Sequence, residues 1–591
     1  MPEYLAPGVY VEETSFRAKS IEGVGTSTTA FVGPTRRGPV GGMPELVTSL
    51  GDFQRIYGSL ENLGLADITD AALRLNFVAH AARAYYDNGG SRLYVVRAVN
   101  TGASAAGALA TGAADAENAF IRARFPGAAY NGRVLFRTAS RPATVRTLGT
   151  APPASLLSIT VGTTETLYVG NGVVWTNSTA AALSLAGLAP EEVPGGAGAV
   201  ANLLTLAIDV IDADGYAQSW DELGFAAGHP RALATVLARN PANRADALSN
   251  LVWADVGSGV NGFKLLAAIR ALPAVLGDVD GRHLLVMAGG LDGNAPITGA
   301  ETDEGSYAAG FATLSALEDV SIVAAPGSSA YADQQAIQGA LISHAERRRS
   351  YRIAVLDSRP HQTPGDMRIA RGRMDSKYAA LYYPWVIASN PLARTGRDDI
   401  PKEIALPPSG FVAGIYARND TQRGVHKAPA NEVVTGALRF ESDINFAQQE
   451  LLNPIGVNCL RYLSGRGYRV WGARLVSSDP EWKYVSDRRY FNYLESSIDR
   501  GSQWAVFEPN GERLWANIRQ TIADFLYNEW RGGALLGSTT EEAFFVRCDR
   551  STMTQNDLDS GRLICLIGVA IIKPAEFVIF RIGQKTADAR A

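Results

Sequence analysis

The 591-residue chain has only three cysteines, Cys459, Cys548 and Cys565, and they form no CxxC pair. Neither a thiolate zinc site nor a disulfide framework is indicated, and buried free thiols are expected. The six histidines, at 80, 229, 283, 344, 361 and 426, are scattered without ligand spacing, so no metal site is expected. No GxSxG, HExxH or Walker lysine motif occurs, which removes three common catalytic signatures. No apolar run approaches the roughly 18 residues of a membrane span. The start, MPEYLAPGVYVEE, lacks a basic and an apolar leader region, so synthesis in the cytoplasm without membrane insertion is expected. A net charge of −4 argues against a chain built to coat nucleic acid.

What is present is ordinary globular material, 46% hydrophobic and 19% charged, with length for about three or four domains. Apolar strand-length runs alternate with helical stretches. TTAFVG from Thr28 ends in Gly33–Pro34 as a buried strand ends in a loop. Ile68, Ala71, Leu75, Val78, Ala82 and Tyr85 fall at helical spacing, with Asp67 or Thr69 to cap the start and Asn88–Gly89 to stop it. RLYVVRAV (92–99) is then a strand. The same texture is read at His283–Ala288, Val320–Ala325 and Arg352–Asp357, with helices near 305–318 and 331–348. Such alternation predicts a largely parallel sheet covered on both faces.

Between these parts, residues 101–114 are nearly all Ala, Gly, Ser and Thr and read as a linker or a weakly packed excursion. Strands are expected at 133–137, 157–161 and 167–175, the last turning at Asn171–Gly172. Residues 101–275 therefore read as inserted, β-rich outer structure. Near the end, Leu514, Ile518, Ile522, Phe525, Leu526 and Trp530 make one stripe of a helix over 512–531, with Gly532 at its C-terminal cap. The fold class expected is α/β and α+β multidomain: a mostly parallel middle domain (26–100 with 276–430), the β-rich insertion, an α+β inner domain (431–573) and extended arms (1–25 and 574–591).

Chemistry has few candidates. GSGVNG (257–262) matches GxGxxG between an apolar run and a helix-like stretch, with Asp278 or Asp280 as a ribose partner, and Asp292 and Asp357 stand at strand ends. In a chain with 60 glycines a plain turn is the stronger reading, and Asp292 before Gly293 is a common turn pair. These residues carry the alternative, a cytoplasmic enzyme on a doubly wound sheet; a static shell or tail component is the third reading. No catalytic residue and no cofactor is assigned. A cationic group, Arg347, Arg348, Arg349, Arg352, Arg359, Arg368, Arg371, Arg373 and Lys377, reads either as a solvated face or as a surface for an acidic partner.

The chain ends on RLICLIGVAIIKPAEFVIFRIG (562–583), two apolar runs split by Lys573 and Pro574. An apolar strand at a terminus is a template for pairing with another chain.

The segments PGVYVEE, AFVGPTRRGP, ARAYYDNGGSRLYVVRA, SIVAAPG (321–327), YYPW (382–385), PPSGFVAGIYARNDTQRGVHKAPAN (407–431), LNPIGVNCLR, GYRVWGAR, SDRRYFNYLE and FEPNGERLW through GGALLG resemble the tail sheath proteins of contractile phage tails and related contractile injection systems. The resemblance covers about 1–100 and 280–591 and leaves the insert unplaced. It implies a structural subunit of stacked hexameric rings around an inner tube, contracting to drive that tube through a cell envelope. The partners it implies are other copies of the chain, the tube protein, and baseplate and terminator proteins. It further implies that Val9, Tyr10 and Val11 in one arm and Phe577, Ile579 and Phe580 in the other are exchanged between subunits, with 562–572 kept at home. The 512–531 helix, with Arg513, Arg519 and Asp524, becomes the tube-facing candidate. Deleting 574–591 is then expected to leave a folded subunit that does not polymerise.

Overall fold

Apolar runs buried on both faces need helices above and below. The chain, a computed structural model describing residues 20–582 apart from 171–173, 397 and 399, arranges them in that way. Six parallel strands run side by side in the order Val457–Leu463, Ala379–Tyr383, Ile353–Asp357, Ile322–Ala324, Thr29–Gly33 and Leu93–Arg97. Antiparallel edge strands, Gly467–Val470 with Glu432–Val433 on one side and Leu46–Val47 on the other, bring the sheet to nine. Alternation shows in the first strand: Phe31 joins the core on one face, Ala30 and Val32 the core on the other. On the first face the helices Phe77–Asp87 and Ser409–Arg423 touch nearly backbone to backbone. A Cβ on Gly410 would lie 2.6 Å from the Cα of Ala81, and one on Gly414 2.5 Å from the carbonyl oxygen of Tyr85.

The helix expected from Asp67 begins nine residues later than its first apolar position, Ile68, suggests, at Phe77, and its cap is Asn76, whose side chain accepts from the Ala79 amide. Tertiary packing takes the earlier residues away. Ile68 packs with Leu63, Leu65 and Tyr331 in a separate cluster, and Asp67 accepts from the Ala295 amide.

The insert holds a seven-stranded antiparallel sheet built around Ala199–Ile211 and a three-stranded sheet. Two readings are corrected here. The 101–114 stretch is not a linker: Ala106–Ala110 is a strand paired with Ala119–Ala123, its small side chains allowing Gly107 to sit where a Cβ would be 2.9 Å from Leu285. The strand at 283 does not return to the parallel sheet. His283–Val286 pairs antiparallel with Arg133–Pro142, so the insert's sheet continues beyond residue 275. Strands Thr164–Gly170 and Trp175–Asn177 pair antiparallel; the Asn171–Gly172 turn between them lies outside the described residues.

Ion pairs fasten the insert to the parallel sheet. Arg36 meets Asp214 and, at 3.5 Å, Asp292; Arg37 meets Asp212 at 3.1 Å. Burial pushes the Asp214 carboxyl up, but the Arg36 and Ser59 hydrogen bonds outweigh it and hold it below the usual range.

The last part of the chain packs Tyr490 and Leu494 of the helix Val485–Gly501 against Leu514, Trp515, Ile518, Ile522, Phe525 and Leu526 of the helix Glu512–Arg531. Gly532 is its C-cap, and the left-handed turn falls one residue later, at Gly533 (φ 77°).

Candidate functional site

The strand-end residues that would carry an enzyme are occupied by the protein itself. Asp357 is buried, and its two oxygens accept from the Ser409 amide and hydroxyl at 2.7 Å each, holding the start of the Ser409–Arg423 helix. Burial pushes its carboxyl up to about 7 against those two bonds. Folding therefore favours the neutral acid: the contribution is full below the ordinary value of 3.8 and is lost as pH rises through about 7. The melting-temperature gap between wild type and Asp357→Asn is expected to fall as pH rises from 4 to 7 and then level off. A gap that widens with pH in thermal melts would contradict this assignment.

Asp292 is a tie between segments, accepting from the Gly64 and Ala128 amides at 2.6 and 2.7 Å, and the turn beside it is made by Gly293 at φ 81°. The GSGVNG glycines lie in a strand-to-helix loop whose amides are already used: Gly257 donates to Asn118 and Gly259 to Ala116. A Cβ on Gly257 would sit 2.4 Å from the Ala116 carbonyl oxygen, so these glycines serve a close chain crossing and leave no phosphate cradle. Among the described residues no group of three His, Cys, Asp or Glu is placed to hold a metal, and no helix is long and apolar enough to cross a membrane. Cys548 and Cys565, distant in sequence, lie with their thiols side by side, Cys548 buried and both pushed up by burial.

The cationic group divides. Arg347 pairs with Glu301, and Arg349 binds Asp499 at 2.6 Å. Arg352 is buried against the carbonyls of Leu314, Leu317 and Val320. Arg371 donates to Ile455, and Lys377 stands over the Trp482 ring. Arg348, Arg359, Arg368 and Arg373 are exposed and form no ion pair among the described residues.

The unusual surface is at the chain ends. Phe544–Arg547 and Leu566–Val569 form an antiparallel sheet of two strands only, so each strand keeps an open edge among the described residues. Beside it runs a groove of about 1030 Å³ whose lining mixes the apolar Leu494, Ile498, Val506, Ile567 and Val569 with charged side chains, Arg347, Arg348, Arg349, Glu495 and Asp499 among them. Beyond Ile571 the chain makes no backbone hydrogen bond among the described residues, and Phe577, Ile579, Phe580 and Ile582 are 69, 78, 84 and 95% exposed. Five exposed large apolar side chains within six residues make a contiguous apolar patch of the kind that marks interaction surfaces.

Both arm roots are fixed. At the first, Ile21 is buried against the inner helices, the Val24 amide donates to Ser497, and the Thr26 hydroxyl donates to Asp420. Asp420 is itself paired with Arg489 at 2.6 Å, the two side chains only 4 and 3% exposed. At the second, Glu576 accepts from Arg474 (2.8 and 2.6 Å), Asn453 (2.7 Å) and Tyr484 (2.9 Å), with Lys483 at 3.5 Å. Burial alone would raise this carboxyl; the hydrogen bonds from Arg474, Asn453 and Tyr484 outweigh it and bring it down to about 2. The composition of the tail gave no hint of this cluster, because its members lie 92 to 123 residues away.

Residues Val9, Tyr10 and Val11 lie outside the described residues. On the Glu512–Arg531 helix, Arg513, Arg519 and Asp524 are all exposed, but Arg519 donates to the Cys548 carbonyl and Asp524 accepts from Gln520.

Asp357 and Asp292 are tied into the protein's own packing, the small sheet keeps open edges, and the apolar tail is uncovered among the described residues. Residues 300–474 match the phage tail sheath protein central domain and residues 477–585 the phage tail sheath C-terminal domain. The chain is 26% identical over 267 residues to a putative prophage major tail sheath protein of Pseudomonas aeruginosa (strain UCBPP-PA14), and 25% over 177 residues to the tail sheath protein of Enterobacteria phage T4. Those matches take in 44 and 29% of this chain, and span only 64 and 26% of the relatives' own lengths. It shares the fold of the sheath of an extracellular contractile injection system (PVC) in the contracted state, with a TM-score of 0.52 and 19% identity over 99% of both chains. The contracted helical sheath of the anti-feeding prophage gives a TM-score of 0.50 at 21% identity, over 99% of this chain and 100% of that one.

Proposed function

We propose that the chain is the subunit of a contractile tail sheath: it polymerises around an inner tube and contracts to drive that tube through a target envelope, as a structural and not a catalytic part. The observation that carries this is the exposed run Phe577–Ile582 on a chain whose own two-stranded sheet has open edges. A donated strand gains backbone hydrogen bonds and seats alternate side chains in its acceptor, and the groove beside Ile567 and Val569 offers both apolar and charged side chains to it. Head-to-tail donation of this kind generates an open helix when the rotation does not close. Within this reading Val9, Tyr10 and Val11 form the second exchanged strand. The middle domain, the insert and the inner domain are separate parts of the subunit, and rings are hexameric. The partners are the tube, the baseplate and a terminator. The outward stripe of the Glu512–Arg531 helix faces the tube, with Arg513, free of any partner among the described residues, better placed for that contact than Arg519 or Asp524. The four unpaired arginines are available to acidic neighbours.

Purified chain is expected to form long hollow tubes in negative-stain microscopy. Discrete particles at all concentrations, with a bound nucleotide or sugar, would favour an enzyme instead.

A further inference from the structure

The residues that grip Glu576 do not belong to the sheet from which the tail departs. Leu566–Val569 lies in the two-stranded sheet. Arg474, by contrast, is locked to the nine-stranded sheet: its amide donates to Asn458 at 2.6 Å, and Asn458 donates back to its carbonyl at 2.8 Å. Asn453 stands just before the strand Val457–Leu463, and Tyr484 caps the helix Val485–Gly501. Between the last bridge, at Ile571, and Glu576 lie Ile572, Lys573, Pro574 and Ala575, a link of about 13 Å at full extension. Among the described residues the Glu576 carboxylate makes the only hydrogen bonds that hold 572–582 to the body. Beside the half-buried Ile572 and Pro574 and the charge of Lys573 near Asp487, this carboxylate is the hydrogen-bonded tie that sets the direction of the exposed run.

We propose that Glu576 is a positioning residue for assembly, pinning the root of the C-terminal arm to the body of the large sheet so that Phe577–Ile582 leaves in one direction and meets a second copy of the chain in a single register. This rests on the reading of that run as a donated strand. A free tail of the 20 residues beyond Ile571 samples many directions, and fixing its root removes most of that search before contact, which raises the rate of productive encounter. The grip also decides which body the arm follows. If the large and small sheets shift against one another, the arm turns with the large sheet, and the four linking residues absorb the difference.

The test uses the full chain with Glu576→Gln, Glu576→Ala and the exchange Arg474→Glu with Glu576→Arg. Three quantities are read: the melting temperature of the unassembled subunit, the assembly rate by light scattering, and the helical symmetry of the product by electron cryomicroscopy. Glu576→Gln, which removes the charge facing Arg474, is expected to melt somewhat below wild type, to assemble about tenfold more slowly, and to give sheaths of mixed helical parameters. The charge exchange is expected to bring back a single symmetry. Wild-type rate and symmetry in both single variants would overturn the proposal, and so would a lowered melting temperature with unchanged symmetry, which is what a merely structural role produces. Should Glu576→Ala fail to fold, Glu576→Gln, which keeps the shape, still decides. Normal assembly of a chain lacking 577–591 would instead sink strand donation itself, which these variants leave alone.

Discussion

A chain ending at Glu576 is expected to fold, stay soluble and melt with the full-length subunit, yet fail to polymerise. Phe577–Ile582 touches no core and is at least 69% exposed throughout its large apolar side chains, so its loss costs the isolated subunit no more than ordinary surface changes, about 0.5 kcal/mol. The pin itself is retained. In the polymer the same six residues would pair along a strand edge, and net contributions of about 0.5–1 kcal/mol per backbone hydrogen bond amount to roughly 3–6 kcal/mol per contact. That raises the concentration needed for assembly by a factor of about 10² to 10⁴. Sedimentation and negative-stain images across a concentration series measure it. Normal tubes from the truncated chain would show that this arm is not donated, and a subunit that no longer folds would show that the run belongs to its own domain.

The second large effect concerns the other root. Asp420→Ala is expected to destabilise the subunit by about 3–5 kcal/mol, because it leaves the Arg489 guanidinium buried with no counter-charge. Arg489 lies 3% exposed, over the Tyr416 ring, and also donates to the Thr26 carbonyl. The loss should therefore reach the N-terminal root as well as the two helices. Urea melts followed by hydrogen exchange over residues 20–27 read both. Replacing the pair together, Asp420→Leu with Arg489→Met, should recover much of the loss, since apolar side chains of similar size carry no desolvation cost. An Asp420→Ala variant as stable as wild type would mean that water reaches Arg489 and the pair is not sealed.

Much of the architecture was legible because it is local. TTAFVG, RLYVVRAV and the runs at 320 and 352 are strands of one parallel sheet, since a doubly covered strand must be apolar at every position. The helix Glu512–Arg531 occurs with its stripe inward, because 3.6-residue periodicity is written in the spacing. The split at Pro574 likewise separates a strand kept at home from an exposed run. Other elements were not legible. Ala106–Ala110 has a composition that fits a linker, and only the facing strand and Leu285 give its small side chains a use. The central strand of the insert, Ala199–Ile211, follows a Pro- and Gly-rich stretch that hid its start.

By itself the sequence determined several of the strands and helices, TTAFVG, RLYVVRAV and the 512–531 helix among them, and that an apolar run stands beyond Pro574, since periodicity and punctuation act over a few residues. Only the tertiary structure decided that His283–Val286 joins the insert's sheet, that Asp357 and the GSGVNG glycines serve the protein's own packing, and that Glu576 and Asp420 fix the two arm roots. A buried charge is stable only beside its partner, and those partners come from distant parts of the chain, whose meeting no local pattern records.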